Sequence, residues 1–281
     1  MMNGTEFGAV IFGLASAATW GVGDFSGGLA TRRVSVLTVT LLSQVAGLIL
    51  LALLAFIWGE SFPSLVDVGW GGLAGLIGLV GLMALYRAMA IGQMGIAAPV
   101  AAVLSASLPV AVGAVTQGLP HLPRQLGFIL AVIGIWFISR PQKMEGRPAG
   151  LGLAIIAGLC FGGFLLGIAQ VQQNAVFWPL VAARTASILA MLVAVGTGQK
   201  LAMPAPSILP LIILTGAMDA GGNAFFALAE QAGRLDVAGA LASLYPATTV
   251  ILALSILKEK LVLWQGIGVL LALLAVPLIA S

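Results

Sequence analysis

The chain has 281 residues, of which 60% are hydrophobic and only 7% are charged, and its formal net charge is +3. A typical soluble domain carries about 25% charged residues, so this composition excludes a soluble globular protein. It predicts an all-α polytopic membrane protein, with the small positive charge serving as a topology signal and no nucleic-acid partner expected. The single cysteine, Cys160, excludes an intramolecular disulfide and argues against a cysteine-based metal site.

Ten apolar stretches follow one another along the chain, each suited to a membrane helix of roughly 20 residues. The predicted spans are 7–29, 36–58, 69–91, 96–117, 125–139, 149–170, 176–198, 207–229, 235–257 and 262–280. The longest polar interruption, residues 140–148, separates five spans from five. The sequence therefore predicts a first five-helix repeat over residues 1–139, a linker over 140–148 and a second five-helix repeat over 149–281.

The cations are distributed unevenly between the two predicted membrane faces. Those in the odd-numbered loops are Arg32, Arg33, Arg140, Lys143, Arg147, Lys200, Lys258 and Lys260, whereas the opposite face holds only Arg124 and Arg234. Short loops rich in Lys and Arg remain in the cytoplasm. We therefore expect a multi-pass protein of the inner (plasma) membrane with a cytoplasmic linker and both termini outside.

An odd number of helices in each half predicts that the two halves are inverted relative to each other. Inverted repeats are a common transporter architecture, in which the substrate binds near the midplane between the halves. Two alignments support the repeat: Gln44 in the second span lies opposite Arg184 in the seventh, and residues 104–109 match 241–246, with Pro109 opposite Pro246.

The chain resembles the drug/metabolite transporter superfamily, in its ten-helix form built from two EamA domains. The positions that carry the resemblance are Trp20-Gly21, Tyr86-x-Ala-Met, Phe225-x-Ala-Leu, Arg184, Pro109, Pro246, Lys258-Glu259-Lys260 and Trp264-Gln265-Gly266. The resemblance covers essentially the whole chain. It implies a secondary carrier in which the first four helices of each half line a central cavity and the fifth lies at the periphery.

Four ionisable residues fall inside predicted spans, where an isolated charge costs roughly 2.5–3.5 kcal/mol on insertion scales. They are Asp24, Arg87, Arg184 and Asp219, whose formal charges sum to zero. Arg184 and Asp219 lie near the middle of neighbouring spans, so we predict that they touch directly or through water. Two interpretations stand side by side: a cavity charge that holds a substrate carboxylate or acts as a gate, and a fixed structural pair.

Polar residues at helical spacing extend this pattern. Asp219, Asn223, Phe226 and Glu230 share one helix face, which predicts a wall of the translocation path at Asp219 and Asn223. Trp20 and Asp24 are likewise four residues apart on one face. Asp24 is either a proton-carrying carboxylate or, as we prefer at this point, a helix-end partner of Arg32 or Arg33.

The candidate residues form two sets. The substrate-binding set is Trp20, Gln44, Tyr86, Arg184, Asp219, Asn223 and Tyr245, and the coupling or gating set is Asp24, Arg87 and Asp219. Tyr86 is equally well explained as an interfacial anchor, and Arg87 as a side chain that extends to the membrane surface. Tyr245 precedes Pro246, which frees a backbone carbonyl for a ligand or water.

The sequence contains no P-loop, no HExxH helix and no Gly-x-Ser-x-Gly elbow, so we expect neither an enzyme nor a cofactor or metal site. The predicted function is transport of small metabolites by alternating access, with amino-acid export as the leading assignment. The alternatives are a lipophilic drug or cation efflux carrier and a non-transporting membrane scaffold. The expected partners are a small-molecule substrate and the lipid bilayer, with protons as the candidate coupling ion. One chain supplies both halves of the cavity, so a monomer is expected.

Overall fold

A computed structural model of the chain describes residues 4–91, 94–116, 118–138, 150–172, 175–256 and 263–279. Every regular element in these ranges is a helix. The α-helices are α1 Gly4–Thr31, α2 Val36–Trp58, α3 Leu65–Ile91, α4 Met94–Thr116, α5 Leu122–Ile138, α6 Leu151–Ile168, α7 Phe177–Gly196, α8 Leu209–Ala232, α9 Leu235–Ala242, α10 Tyr245–Ile256 and α11 Leu263–Ile279. A 3₁₀ turn, Pro206–Ile208, precedes α8. The linker 140–148 and residues 258–260 lie outside the described residues.

Six stretches are long and apolar enough to cross a membrane, judged by length and composition. They are Phe7–Thr31, Val36–Trp58, Leu65–Ala88, Leu151–Ile168, Phe177–Gly196 and Pro206–Ala232, with shorter apolar helices at Val100–Thr116 and Leu122–Phe137. Large apolar side chains such as Leu53, Ile57 and Val193 are exposed on the helix surfaces. Such surfaces suit contact with lipid tails, so the prediction of an all-α polytopic membrane protein is confirmed.

The ninth predicted span is not one helix. Residues 235–257 were expected to be continuous, but the chain turns at Ser243 and Leu244, between α9 and α10. Pro246 supplies the physical reason, because it has no N–H to donate to the carbonyl of Ala242. Near the start of α10, by contrast, the missing N–H costs nothing, since the first N–H groups of a helix have no intrahelical partner.

The helices on either side of residues 139–149 pack on each other in a reciprocal pattern. If α1 to α5 correspond in order to α6, α7, α8, α9 with α10, and α11, then the most extensive contacts between the halves occur in matching pairs. α1 packs on α8 and α3 on α6; α4 packs on α6 and α1 on α9 and α10; α3 packs on α7 and α2 on α8. α2 with α7, α4 with α9, and α5 with α11 pair corresponding helices. Two similar units facing each other across a two-fold axis produce this pattern.

Two glycines bring helices of the two halves into backbone contact. A methyl group on Gly75 of α3 would collide with the backbone of Ala183 in α7, and one on Gly216 of α8 would collide with the carbonyl of Ser43 in α2. Small residues allow this approach in membrane helix pairs. The two contacts place α2, α3, α7 and α8 around the centre of the molecule, where the intramembrane polar residues lie.

Candidate functional site

A charged cluster lies where α2, α7 and α8 meet. Arg184 Nη1 donates a 2.7 Å hydrogen bond to Gln44 Oε1, and Arg184 Nη2 lies 2.6 Å from Asp219 Oδ2. The predicted contact between Arg184 and Asp219 is therefore confirmed. The arginine side chain is 5% exposed and that of Asp219 is 29% exposed. Burial of a guanidinium in a membrane protein is tolerable only with such partners.

The ion pair leaves part of the guanidinium unsatisfied. Arg184 Nη2 is buried, and no described residue accepts a hydrogen bond from it with suitable angles, although Asp219 Oδ2 is at contact distance. The contact is thus electrostatic rather than a well-aligned hydrogen bond. A buried donor in this state favours a ligand that offers an oxygen acceptor.

The wall next to this cluster is formed by α1 and α8. Trp20 Nε1 donates a 3.0 Å hydrogen bond to Asn223 Oδ1, and the Trp20 ring stacks on Phe226 with centroids 6.2 Å apart. Phe226 is fully buried, so it supports the indole from behind. Ser16 Oγ also donates to the carbonyl of Gly222. The predicted stripe on α8 therefore faces protein and cavity, with Asp219 and Asn223 in the cavity wall.

The break between α9 and α10 contributes a second polar wall. Tyr245 is buried, its ring meets Trp20 edge-on at a 6.5 Å centroid distance, and its hydroxyl has no hydrogen-bond partner among the described residues. Ser243 Oγ lies 3.5 Å from Ser105 Oγ of α4. An unsatisfied buried hydroxyl beside a helix break is a candidate contact for a polar ligand group.

These walls enclose one cavity, with about 710 Å³ of empty volume that includes space open to the outside. The lining residues are Trp20, Asp24, Gln44, Gly75, Gly78, Leu79, Leu82, Ser105, Phe161, Phe164, Leu165, Ala183, Arg184, Ser187, Asp219, Asn223 and Tyr245. They come from α1 to α4, α6 to α8 and α10. None of the described side chains of α5 or α11 lines the cavity, in agreement with the prediction.

The structure places most candidate residues together and separates two from them. All but two line the cavity; Tyr86 and Arg87 do not. Tyr86 is buried against α1, where its hydroxyl occupies the space that a side chain on Gly27 would need. Arg87, on the next position of α3, is exposed.

The preferred assignment of Asp24 was wrong. Asp24 lies in the cavity wall, and the ion pairs between described residues include none that joins it to Arg32 or Arg33. The geometry explains why, because α1 continues to Thr31 and eight residues of helix separate Asp24 from Arg32 by about 12 Å along the axis. Asp24 and Asp219 are close enough to repel each other electrostatically, so the cavity holds two carboxylates and one guanidinium.

Sequence reasoning missed the apolar side of the cavity, which α3 and α6 form. Phe164 rests on Gly78 and Phe161 on Gly81, because the glycines leave room for the rings. Leu79, Leu82 and Leu165 complete this side. The signal was present as glycines at positions 75, 78 and 81 of one span and phenylalanines three residues apart in another.

Among the described residues, no group of three or more His, Cys, Asp or Glu side chains is arranged to hold a metal ion. The only histidine, His121, is exposed in the segment before α5. The chemistry that the cavity offers is therefore charge and hydrogen bonding, from one guanidinium, two carboxylates, two amides and several hydroxyls, beside an apolar wall.

The fold and the cavity define a polytopic helical membrane protein with a cavity lined by charged, polar and apolar side chains. Residues 148–281 match the EamA-like transporter family. A solved structure described only as "Crystal structure of protein" superposes with a TM-score of 0.77 at 16% identity, covering 96% of this chain and 95% of that one. At that identity the likeness shows the fold alone. No curated protein matches the sequence significantly.

The second half of the chain is thus an EamA-like transporter domain, and the resemblance to the drug/metabolite transporter superfamily is confirmed. Over residues 148–281 the chain is therefore similar to membrane transporters of the drug/metabolite type. The matching fold extends over nearly the whole chain, including the half that the family match does not cover.

Proposed function

We propose that the protein is a secondary carrier that exports amino acids or closely related small zwitterionic metabolites across the inner membrane by alternating access. The reciprocal packing of α1 to α5 with α6 to α11 supports the mechanism, because two similar units can rock around a site that lies between them. The cavity draws on both halves, as such a mechanism requires.

The observation that carries the substrate class is the presence of opposite charges with unused bonding capacity in one cavity. Arg184 Nη2 contacts Asp219 Oδ2 at 2.6 Å without the alignment of a hydrogen bond, so a substrate carboxylate can compete for it, and Asp24 is a carboxylate without an ion-pair partner among the described residues. A zwitterion satisfies both, its carboxylate at Arg184 and its ammonium at Asp24 or Asp219. Charge-assisted hydrogen bonds of this kind are stronger than neutral ones, so they discriminate against uncharged solutes.

A second candidate, a lipophilic cation, is favoured by the excess of carboxylates over guanidinium and by the aromatic side of the cavity. Trp20, Phe161 and Phe164 offer faces to which a cation is attracted. In that case Arg184 only repels the substrate. Its replacement by alanine then preserves or improves transport, whereas a zwitterion carrier loses it.

The deciding experiment is counterflow in proteoliposomes preloaded with a mixture of amino acids, following one labelled neutral amino acid without an ion gradient. We expect uptake by the unmodified protein, loss of uptake in Arg184→Ala and retention in Arg33→Ala, an exposed arginine outside the cavity. Failure of every amino acid combined with uptake of a labelled organic cation would favour the second candidate. A third outcome is uptake of neither an amino acid nor an organic cation. If Asn223→Cys in a Cys160→Ser background also fails to react with an impermeant thiol reagent, that outcome would favour a sealed scaffold.

The driving force is proposed to be the substrate gradient. Asp219 lies 2.6 Å from Arg184, so its carboxylate is already engaged in an ion pair. Asp24 is the remaining carboxylate in the cavity. A proton-driven carrier would therefore depend on Asp24, and its amide variant separates the two mechanisms.

A further inference from the structure

The N-terminal end of α7 is capped by Glu60, a residue from the other half of the chain. Val176, Phe177 and Trp178 donate their backbone N–H groups to the Glu60 carboxylate at 2.9–3.1 Å, and Trp178 Nε1 donates to the Glu60 carbonyl at 2.9 Å. The N-cap residue of α7, Val176, makes no side-chain cap bond at this end. Glu60 thus supplies the missing N-cap across the interface, where the helix dipole also favours a negative charge.

The backbone around Glu60 directs it towards α7. Gly59 ends α2 with φ of +65°, its N–H donating to Phe56, and the Glu60 N–H donates to Ala55. These two bonds form a Schellman motif, which fixes the position of the residue after the glycine. The same face carries a second link between the halves, because the Gln172 N–H donates to Asp67 Oδ1 at 3.0 Å.

The opposite face has the corresponding turn without the corresponding link. α7 also ends in a Schellman motif, with Gly198 at φ of +108° and the Gln199 N–H donating to Ala194. Gln199 therefore occupies the position that matches Glu60, and its side chain is exposed. The start of α2 is capped locally, because Ser35 Oγ accepts from the Thr38 N–H at 3.3 Å. Among the described residues, a side chain of one of these two helices' segments caps the other helix only at Glu60.

We propose that Glu60 is the closure residue of the membrane face that carries the loop 59–64, and that its bonds to α7 must break when the cavity opens to that face. The inference relies on the alternating motion in the proposed function, but not on the substrate. α2 and α7 carry Gln44 and Arg184, so the closure joins the two helices that meet at the charged cluster. Lysine and arginine counts predict this face to be the outer one.

The test is sided labelling of Leu165→Cys in a Cys160→Ser background with a membrane-impermeant maleimide, in right-side-out and inside-out vesicles. Leu165 lines the cavity in the last turn of α6, near the 59–64 face, and is 2% exposed. Loss of charge-assisted hydrogen bonds in Glu60→Ala should raise labelling from that face about tenfold or more. Labelling from the opposite face should fall, because the two open states compete.

Two further variants make the result decisive. Glu60→Gln keeps the size and one acceptor oxygen, so its labelling should lie between the unmodified protein and Glu60→Ala. Gln199→Ala changes the matching position on the opposite face and should leave labelling unchanged. If both Glu60 variants label like the unmodified protein, whether or not their thermal stability falls, Glu60 is a fixed helix cap and the proposal is wrong. Labelling needs no substrate, so this failure is distinct from a failure to transport amino acids.

Discussion

The Arg184–Asp219 pair allows stability and transport to be separated. Replacing Arg184 with methionine removes the cation but keeps most of the side-chain volume, which leaves Asp219 without its partner at 2.6 Å. Breaking a buried pair from one side costs about 3–5 kcal/mol. Because the Asp219 side chain is 29% exposed, water relieves part of this cost, so we expect about 3 kcal/mol.

The assay is the apparent melting temperature of the purified protein in detergent, measured with counterflow on the same preparation. A loss of about 3 kcal/mol corresponds to a fall of about 6–12 °C for a chain of this size. Arg184→Met combined with Asp219→Asn removes both charges, so we expect most of the melting temperature to return. Transport should be lost in both variants if the charges bind the substrate.

Two outcomes would contradict this reasoning. If Arg184→Met alone melts like the unmodified protein, the pair is not buried in the way that its 5% exposure indicates. If the double variant recovers transport together with stability, the pair is structural and the zwitterion site is wrong. Arg33→Met, at an exposed position, controls for the loss of a positive charge.

Three further predictions follow from the cavity wall, the helix break and the unpaired carboxylate. Phe164→Ala should shift the substrate preference, measured by competition counterflow, towards amino acids with larger side chains. Gly78→Ala should push the Phe164 ring into the cavity and favour amino acids with smaller side chains. Equal substrate selectivity in the two variants would refute an apolar pocket for the substrate side chain. Pro246→Ala restores the N–H that α9 and α10 lack at their junction, so hydrogen exchange at residues 243–245 should slow while apparent substrate affinity falls. Asp24→Asn should weaken amino-acid counterflow, because an amide cannot pair with the substrate ammonium; if it instead spares counterflow and abolishes accumulation that a pH gradient drives in the unmodified protein, the facilitator assignment fails and Asp24 carries the proton.

The helices and the charged centre were predictable because a membrane imposes simple rules. Apolar stretches of suitable length predicted the helical segments except for the break in the ninth span, and the bounds of α2 agree with the prediction at both ends. A buried guanidinium needs a partner, which predicted the contact between Arg184 and Asp219 before any coordinates. Rules of this kind act on each residue separately, so they can be read along the chain.

The remaining parts depend on relations between distant residues. Leu79 and Phe164 look like any lipid-facing apolar residue, and only the packing of α3 on α6 turns them inwards. Glu60 gave no signal because its partners are backbone N–H groups of another half, which are the same in every sequence. Asp24 was misassigned because eight residues along the sequence looked short enough for an ion pair with Arg32. In a continuous helix, that separation places the two side chains too far apart along the axis.

Pro109 and Pro246 occupy aligned positions of the predicted repeat, but the helices around them differ. α4 runs through Pro109 without interruption, whereas the chain breaks before Pro246. Gly239 of α9 packs on Pro109, with no room for a side chain, so the two corresponding helices meet at this point. One continuous and one broken helix then line opposite sides of the contact, and only the broken one presents a free tyrosine hydroxyl to the cavity.

The charged centre follows the same principle at the meeting point of the two halves. Gln44 and Arg184 are aligned positions of the predicted repeat, and they touch at 2.7 Å. Aligned residues that contact each other must lie close to the axis that relates the halves. Two arginines there would repel at hydrogen-bond distance, so only one of the two positions can carry the charge while the other accepts a hydrogen bond. In the proposed carrier, the chemical difference between the halves at Gln44 and Arg184, and at Glu60 and Gln199, would let two inverted units bind one asymmetric substrate and close the two faces differently.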